Sequence, residues 1–266
     1  MSVEASEVAR AAQLAFVMEP LPEKPGLTTR GRDLFPEVSL DKFIIGGVNI
    51  GEAFREVAER ISRSSEWPLL YDLCYRAQKD SLRGRRGCRL NYGGIVTLFP
   101  IVMTHCRLET SDPIEIIKGV KETLEMTTTL DTVWLQKMRN LAYEVTPYKR
   151  DDISPVKEDY SNILEYYTEE LDCIVTREAG ASPYGGKAHT GRTNREITLG
   201  YPYLERMIQV RRSILVQDPN LNYIQTMERL DQAMRMFYPH EAPVWFADLY
   251  TCLNYLIIIE SDEALK

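Results

Sequence analysis

The sequence predicts an all-α protein, a single globular domain of about ten helices. Three observations predict it. Apolar residues recur at three- and four-residue steps along most of the chain, the period of an amphipathic helix. No segment alternates apolar and polar residues as a half-buried strand does. Proline and glycine clusters fall between the periodic runs, where helix ends belong. With 266 residues, 44% of them hydrophobic, the chain can bury a sizeable core and still be one large domain, so residues 1–266 are read as one unit.

The first periodic run, Ser2 to Met18, stops ahead of Pro20, Pro22, Pro25 and Gly26. Behind Ser39, an N-cap residue type, Leu40, Phe43, Ile44, Val48, Phe54, Val57 and Ile61 predict one long helix from Leu40 to Arg63. Trp67 to Leu82 follows, and Gly84, Gly87, Gly93 and Gly94 surround the start of the next run, Gly94 to Cys106. Pro113 to Met126, Leu130 to Leu141 and Glu158 to Arg177 continue the pattern. An irregular stretch from Ala179 to Gly200 is longer than typical helix connections, which marks a functional or mobile loop. The last three runs are Pro202 to Leu215, Leu221 to Phe237 and Pro243 to Ile259. No internal repeat occurs, which excludes a solenoid.

A formal charge of −7 disfavours a general nucleic-acid binder, because phosphate binding by counterion release needs a basic face. Cys74, Cys88, Cys106, Cys173 and Cys252 are odd in number and widely spaced, with no C-x-x-C, so neither a disulfide framework nor a zinc site is expected. That usage fits a reducing cytoplasm. The N-terminus has no signal-peptide pattern, and the most apolar stretch, Tyr250 to Ile259, is too short to span a bilayer.

Two loops are chemically loaded. Glu23-Lys24-Pro25-Gly26-Leu27-Thr28-Thr29-Arg30-Gly31-Arg32-Asp33 combines a fixed φ at proline, close backbone approach at glycine and three cations, a composition able to hold phosphate. The ordinary alternative is a solvated turn. Arg83-Gly84-Arg85-Arg86-Gly87-Cys88-Arg89-Leu90-Asn91-Tyr92-Gly93-Gly94 runs into an apolar helix, whose N-terminal N–H groups and dipole favour an anion. Here the alternative is a solvated basic loop. Neither G-x-x-x-x-G-K-[ST] nor G-x-G-x-x-G is present. The two loops are expected to face one cleft.

Lys24-Pro25-Gly26-Leu27 followed by Arg30, Arg32-Asp33 and Leu40-Asp41-Lys42-Phe43 resembles the opening of the triphosphoribosyl-dephospho-CoA synthase family. Gly87 through Pro100 resembles that family's G-x-N-T-N-x-G segment entering a proline-bearing apolar helix. Leu130 to Trp134, Leu171 to Ile174 and Arg192 to Pro202 resemble three further segments, the last matching R-G-E-A-x-x-G-F-P with Glu196 and Gly200-Tyr201-Pro202 in place. Together these cover residues 14 to 215 in order. Where the family reads N-T-H-K-G, this chain reads Arg89-Leu90-Asn91-Tyr92-Gly93, and it lacks the His-Asp-Met element, features closer to the family's archaeal-type branch.

The resemblance implies an all-helical transferase that joins ATP, through its ribose, to 3′-dephospho-CoA and releases adenine, with Mg²⁺ accompanying the ATP. It implies Lys24, Gly26, Arg30, Arg89, Asn91, Gly93 and Arg192 as nucleotide contacts, Asp131 and Asp172 as metal ligands, and Glu196 and Asp33 as catalytic carboxylates. Read without it, Asp131 and Asp172 are solvated helix carboxylates, and His105, in an apolar run, is a hydrogen-bonded core histidine. Glu165, Glu169, Glu170 and Asp172 read first as a solvated stripe. The expected partner is a phosphorylated small molecule, with a homodimer as a further expectation. The competing readings are a family member with another substrate in one-carbon carrier biosynthesis, a non-catalytic nucleotide-binding protein, and an interaction protein built on the Tyr- and Trp-bearing C-terminal helices.

Overall fold

A computed structural model describes residues 3–33, 38–84, 91–146, 153–176, 194–239 and 243–264. Eleven helices occur among them: α1 (Ala5–Met18), α2 (Leu40–Asn49), α3 (Gly51–Arg63), α4 (Tyr71–Ser81), α5 (Tyr92–Leu108), α6 (Pro113–Glu125), α7 (Thr129–Glu144), α8 (Ile163–Thr176), α9 (Pro202–Gln217), α10 (Tyr223–Phe237) and α11 (Pro243–Ala264). A short helical run at 194–199 precedes α9. There is no strand among the described residues, only an isolated bridge between Thr29 and Arg32.

Helix α5 is the axis of the fold. Every residue from Gly94 to Cys106 is buried, as expected of a helix apolar on all faces. It packs against α3, α6 and α11, while α1 lies across α2, α3 and α11. Pro100 interrupts the α5 hydrogen-bond ladder, and Thr104 Oγ1 donates to the Pro100 carbonyl at 2.8 Å. One contiguous core runs from Val8 to Ile259. His105 belongs to it, with Nδ1 at 2.6 Å from the Tyr255 hydroxyl. No helix among the described residues is long and apolar enough to cross a membrane.

The long helix expected from Leu40 to Arg63 is two helices that break at Ile50. The cause is a side chain from α1. Gln13 Nε2 donates to the Val48 carbonyl, occupying an acceptor that a continuous helix would use internally. A Cβ on Gly51 would stand 2.4 Å from the Gln13 carboxamide, and one on Gly47 would stand 2.8 Å from Phe16 Cβ. The glycines therefore admit α1 at a distance that denies α2 and α3 a common axis. Likewise α8 begins at Ile163 rather than Glu158, because side-chain amides of α7 hold the preceding segment extended. Gln136 accepts from the Lys157 N–H at 2.9 Å and donates to its carbonyl at 2.8 Å, and Asn140 donates to the Ser154 carbonyl at 2.8 Å.

Candidate functional site

The first loop is folded by its own carboxylate. Glu23 accepts from Thr29 Oγ1 at 2.7 Å and from the Gly31 N–H at 3.1 Å, closing a turn in which Gly26 takes φ 81°. Arg30, half exposed, lies 3.6 Å from both Glu23 and Glu228. Lys24 turns inward: Nζ bonds the Glu19 carbonyl and sits 2.6 Å from Glu19 Oε1, and it lies 5.1 Å from the centre of the Tyr250 ring. Burial raises the pKa of Glu19, against the pull of Lys24, and the neighbouring Asp248 pushes it further up.

The second loop delivers Asn91 to the start of α5 in the left-handed conformation, φ 68°. Its carbonyl accepts from the Ile95 N–H at 2.8 Å, but its side chain makes no capping bond. Gly93 is required by a close approach. A Cβ there would stand 2.1 Å from Asp248 Oδ2, and one on Gly94 would stand 2.8 Å from the Phe16 ring. Gly93→Ala must push Asp248 aside, and we expect a cost of roughly 1–3 kcal/mol, read as a lower urea midpoint. An unchanged midpoint would show that Asp248 yields freely.

The second loop opens on a cavity of about 280 Å³, counting its open mouth. Phe16 and Glu19 line it from the end of α1, Phe43 from α2, Asn91 and Gly94 from the entry of α5, and Ala247, Asp248 and Thr251 from α11. Of the first loop, Lys24 touches a wall of this cavity, through its ion pair with Glu19. Phe16, Glu19, Asp248 and Thr251 carry no motif signal, whereas Phe43 belongs to the opening segment that resembles the family. One cue was present for Asp248: it is the only charged residue between Pro243 and Ile259, an acid isolated in an apolar helix.

Glu196 is buried, 1% exposed, and caps α9: Oε1 accepts from the Tyr203 and Leu204 N–H groups, both at 3.0 Å. Oε2 is buried with no hydrogen-bond partner. Loss of solvent drives its pKa up to about 8, against the pull of the two N–H donors. The next turn, with Gly200 at φ 81° and Tyr201 at φ 59°, is pinned to α5 by the Tyr201 hydroxyl, which donates to the Thr97 carbonyl at 2.6 Å. Burial raises the pKa of the Cys252 thiol, helped by Asp248 and Glu196, so both carboxylates act on one residue of α11.

The other expected site residues are placed as follows. Asp33 is exposed and accepts from the Leu40 N–H at 2.9 Å, at the start of α2. Asp131 is fully buried, and both its oxygens are engaged. Oδ1 accepts from the Leu70 and Tyr71 N–H groups, each at 3.0 Å, and Oδ2 from the Thr128 N–H and hydroxyl, each at 2.9 Å. To bind a metal it would have to give up bonds that tie α4 to α7. Arg89, Arg192 and the Asp172 side chain lie outside the described residues. Among the described residues, no group of three or more His, Cys, Asp or Glu side chains could hold a metal ion.

The fold is all-helical among the described residues and sets the glycine-bearing entry of α5 against a polar cavity. The family model for ATP:dephospho-CoA triphosphoribosyl transferase matches residues 5–162, more than half of the chain and inclusive of both loops. The chain belongs to this transferase family of cofactor biosynthesis. No curated protein and no solved structure matches it.

Proposed function

We propose that the protein transfers the triphosphoribosyl group of ATP to 3′-dephospho-CoA. The bond between ribose C1′ and the adenine nitrogen breaks, and the acceptor hydroxyl oxygen forms the new bond to C1′. The hydroxyl proton leaves to a base and the departing adenine takes one up, so the products are 2′-(5-triphosphoribosyl)-3′-dephospho-CoA and adenine. The observation that carries this reading is the family match, which covers both the Lys24 loop and the Asn91 loop that opens on the cavity.

In this reading Glu196 is the acid. A carboxyl with a pKa of about 8 is mostly protonated at neutral pH and can hand its proton to the leaving base. Arg30, Arg89 and Arg192 are the triphosphate contacts, and Gly26 and Gly93 let backbone approach. Asp33 stays a second carboxylate candidate. The described carboxylates form no ion cage, and Mg²⁺ enters as the companion of the ATP phosphates.

The test is incubation with Mg·ATP and dephospho-CoA, reading adenine by chromatography and the coupled product by mass. Adenine and product in equal amounts are expected. ATP should also raise the melting temperature, as any ligand of the folded state does. Adenine without the dephospho-CoA product would favour a second reading, a different acceptor in one-carbon carrier biosynthesis. Its supporting observation is Asn91-Tyr92 standing where the resembled motif has histidine and lysine, with the Tyr92 ring 6.4 Å from that of Tyr143. A thermal shift without adenine release would favour a nucleotide-binding protein, and no shift at millimolar ATP an interaction protein.

A further inference from the structure

The cavity at the entry of α5 has aromatic residues, Phe16 and Phe43, and acidic ones, Glu19 and Asp248, around the same space. Its charge selects what can enter. A phosphate would meet two carboxylates, with the nearby Lys24 already committed to Glu19. A planar ring carrying N–H donors would meet acceptors and apolar walls instead.

Asn91 supplies the second argument. An asparagine at a helix N-cap ordinarily gives its side-chain oxygen to an N–H of the first turn, and this one does not. It is 8% exposed, yet neither its amide oxygen nor its amide nitrogen has a hydrogen-bond partner. Buried polar groups are nearly always partnered, because leaving one bare costs free energy. A ligand that presents an acceptor beside a donor supplies both missing bonds at once.

We infer that this cavity receives the adenine ring of the nucleotide, with Asn91 Nδ2 donating to a ring nitrogen and Oδ1 accepting from the 6-amino group. The same amide–adenine pairing is the commonest way asparagine reads that base in nucleic acids. The second N–H of the amino group is then left for a carboxylate of the cavity, Glu19 or Asp248. This inference rests on the reading of the chain as an ATP-consuming transferase.

Titration calorimetry on the full chain tests it, using Mg·ATP, adenine, unsubstituted purine and inorganic tripolyphosphate. The wild type should bind adenine, and bind purine, which lacks the amino group, about tenfold more weakly or worse. Asn91→Gly keeps the left-handed backbone without steric cost and should weaken adenine and ATP by about tenfold, with tripolyphosphate unchanged. Asn91→Asp holds the size of the side chain but puts an acceptor against the ring nitrogen, and should weaken adenine as well. Adenine binding at wild-type strength in both variants would overturn the inference. So would wild-type protein that binds ATP but not adenine, or an Asn91→Gly variant that loses tripolyphosphate too. In each of those cases ATP still binds the wild type and the transferase reading survives. If neither ATP nor tripolyphosphate binds the wild type, that reading falls and takes this one with it.

Discussion

Glu196→Gln is expected to lower the rate of adenine release by at least about a hundredfold while leaving ATP affinity nearly unchanged. Glutamine preserves the acceptor that caps α9 at Tyr203 and Leu204, but it has no proton to give. The pH profiles separate catalysis from structure. Wild-type turnover should fall as pH rises through about 8, where Glu196 ionises, and the variant's residual rate should lack that limb. Stability carries its own signature. Because the folded pKa of about 8 lies above the ordinary 4.5, the native state holds the proton more tightly than the unfolded chain. This contribution to stability is therefore fully present below about 4.5 and declines as pH rises towards 8, by at most ~1.4 kcal/mol per pH unit. Glu196→Gln should flatten that decline, so the variant gains on the wild type between pH 5 and 8 in urea unfolding. Full turnover in the variant at every pH would remove Glu196 from the chemistry.

Asp131→Ala is expected to destabilise the fold by roughly 3–5 kcal/mol, the range for breaking a buried charged hydrogen-bond network from one side. The substitution strands the Leu70 and Tyr71 N–H groups away from solvent and releases that of Thr128, an exposed residue. It also removes the capping box of α7 and the carboxylate at the start of α4 in one step. Urea unfolding with and without Mg²⁺ distinguishes this from metal binding. The hydrogen-bond account requires a lowered midpoint that Mg²⁺ does not restore. An unchanged midpoint with activity rescued by Mg²⁺ would instead identify Asp131 as a ligand.

Helix positions were legible because the 3.6-residue period and its breakers are local properties: ten predicted runs became eleven helices through one split, and a short helical run at 194–199 falls in the stretch expected to be irregular. That split was hidden: the residues from Leu40 to Arg63 keep helical spacing throughout, and the break comes from Gln13, distant in sequence. The site was legible in part. Lys24, Asn91 and Gly93 were visible as unusual residues in loops, and of these Asn91 lines the cavity, while Lys24 and Gly93 stand against its walls Glu19 and Asp248. Glu19 was not, since an acid at the end of a helix is ordinary until its lysine partner folds over it. Asp131 illustrates the reverse case, where the residue was noticed but its four bonds depend on helix ends that only the tertiary fold brings together.

The cavity takes its walls from α1, near the beginning of the described chain, and from α11, residues Pro243–Ala264, at its end. Synthesis proceeds from one to the other, so the Asp248 wall is made after the α1 wall. A nascent chain that already displays every family-matched residue, 5–162, still lacks three of the eight residues that line this enclosure. The enclosure therefore closes only when α11 docks against α1 and α5.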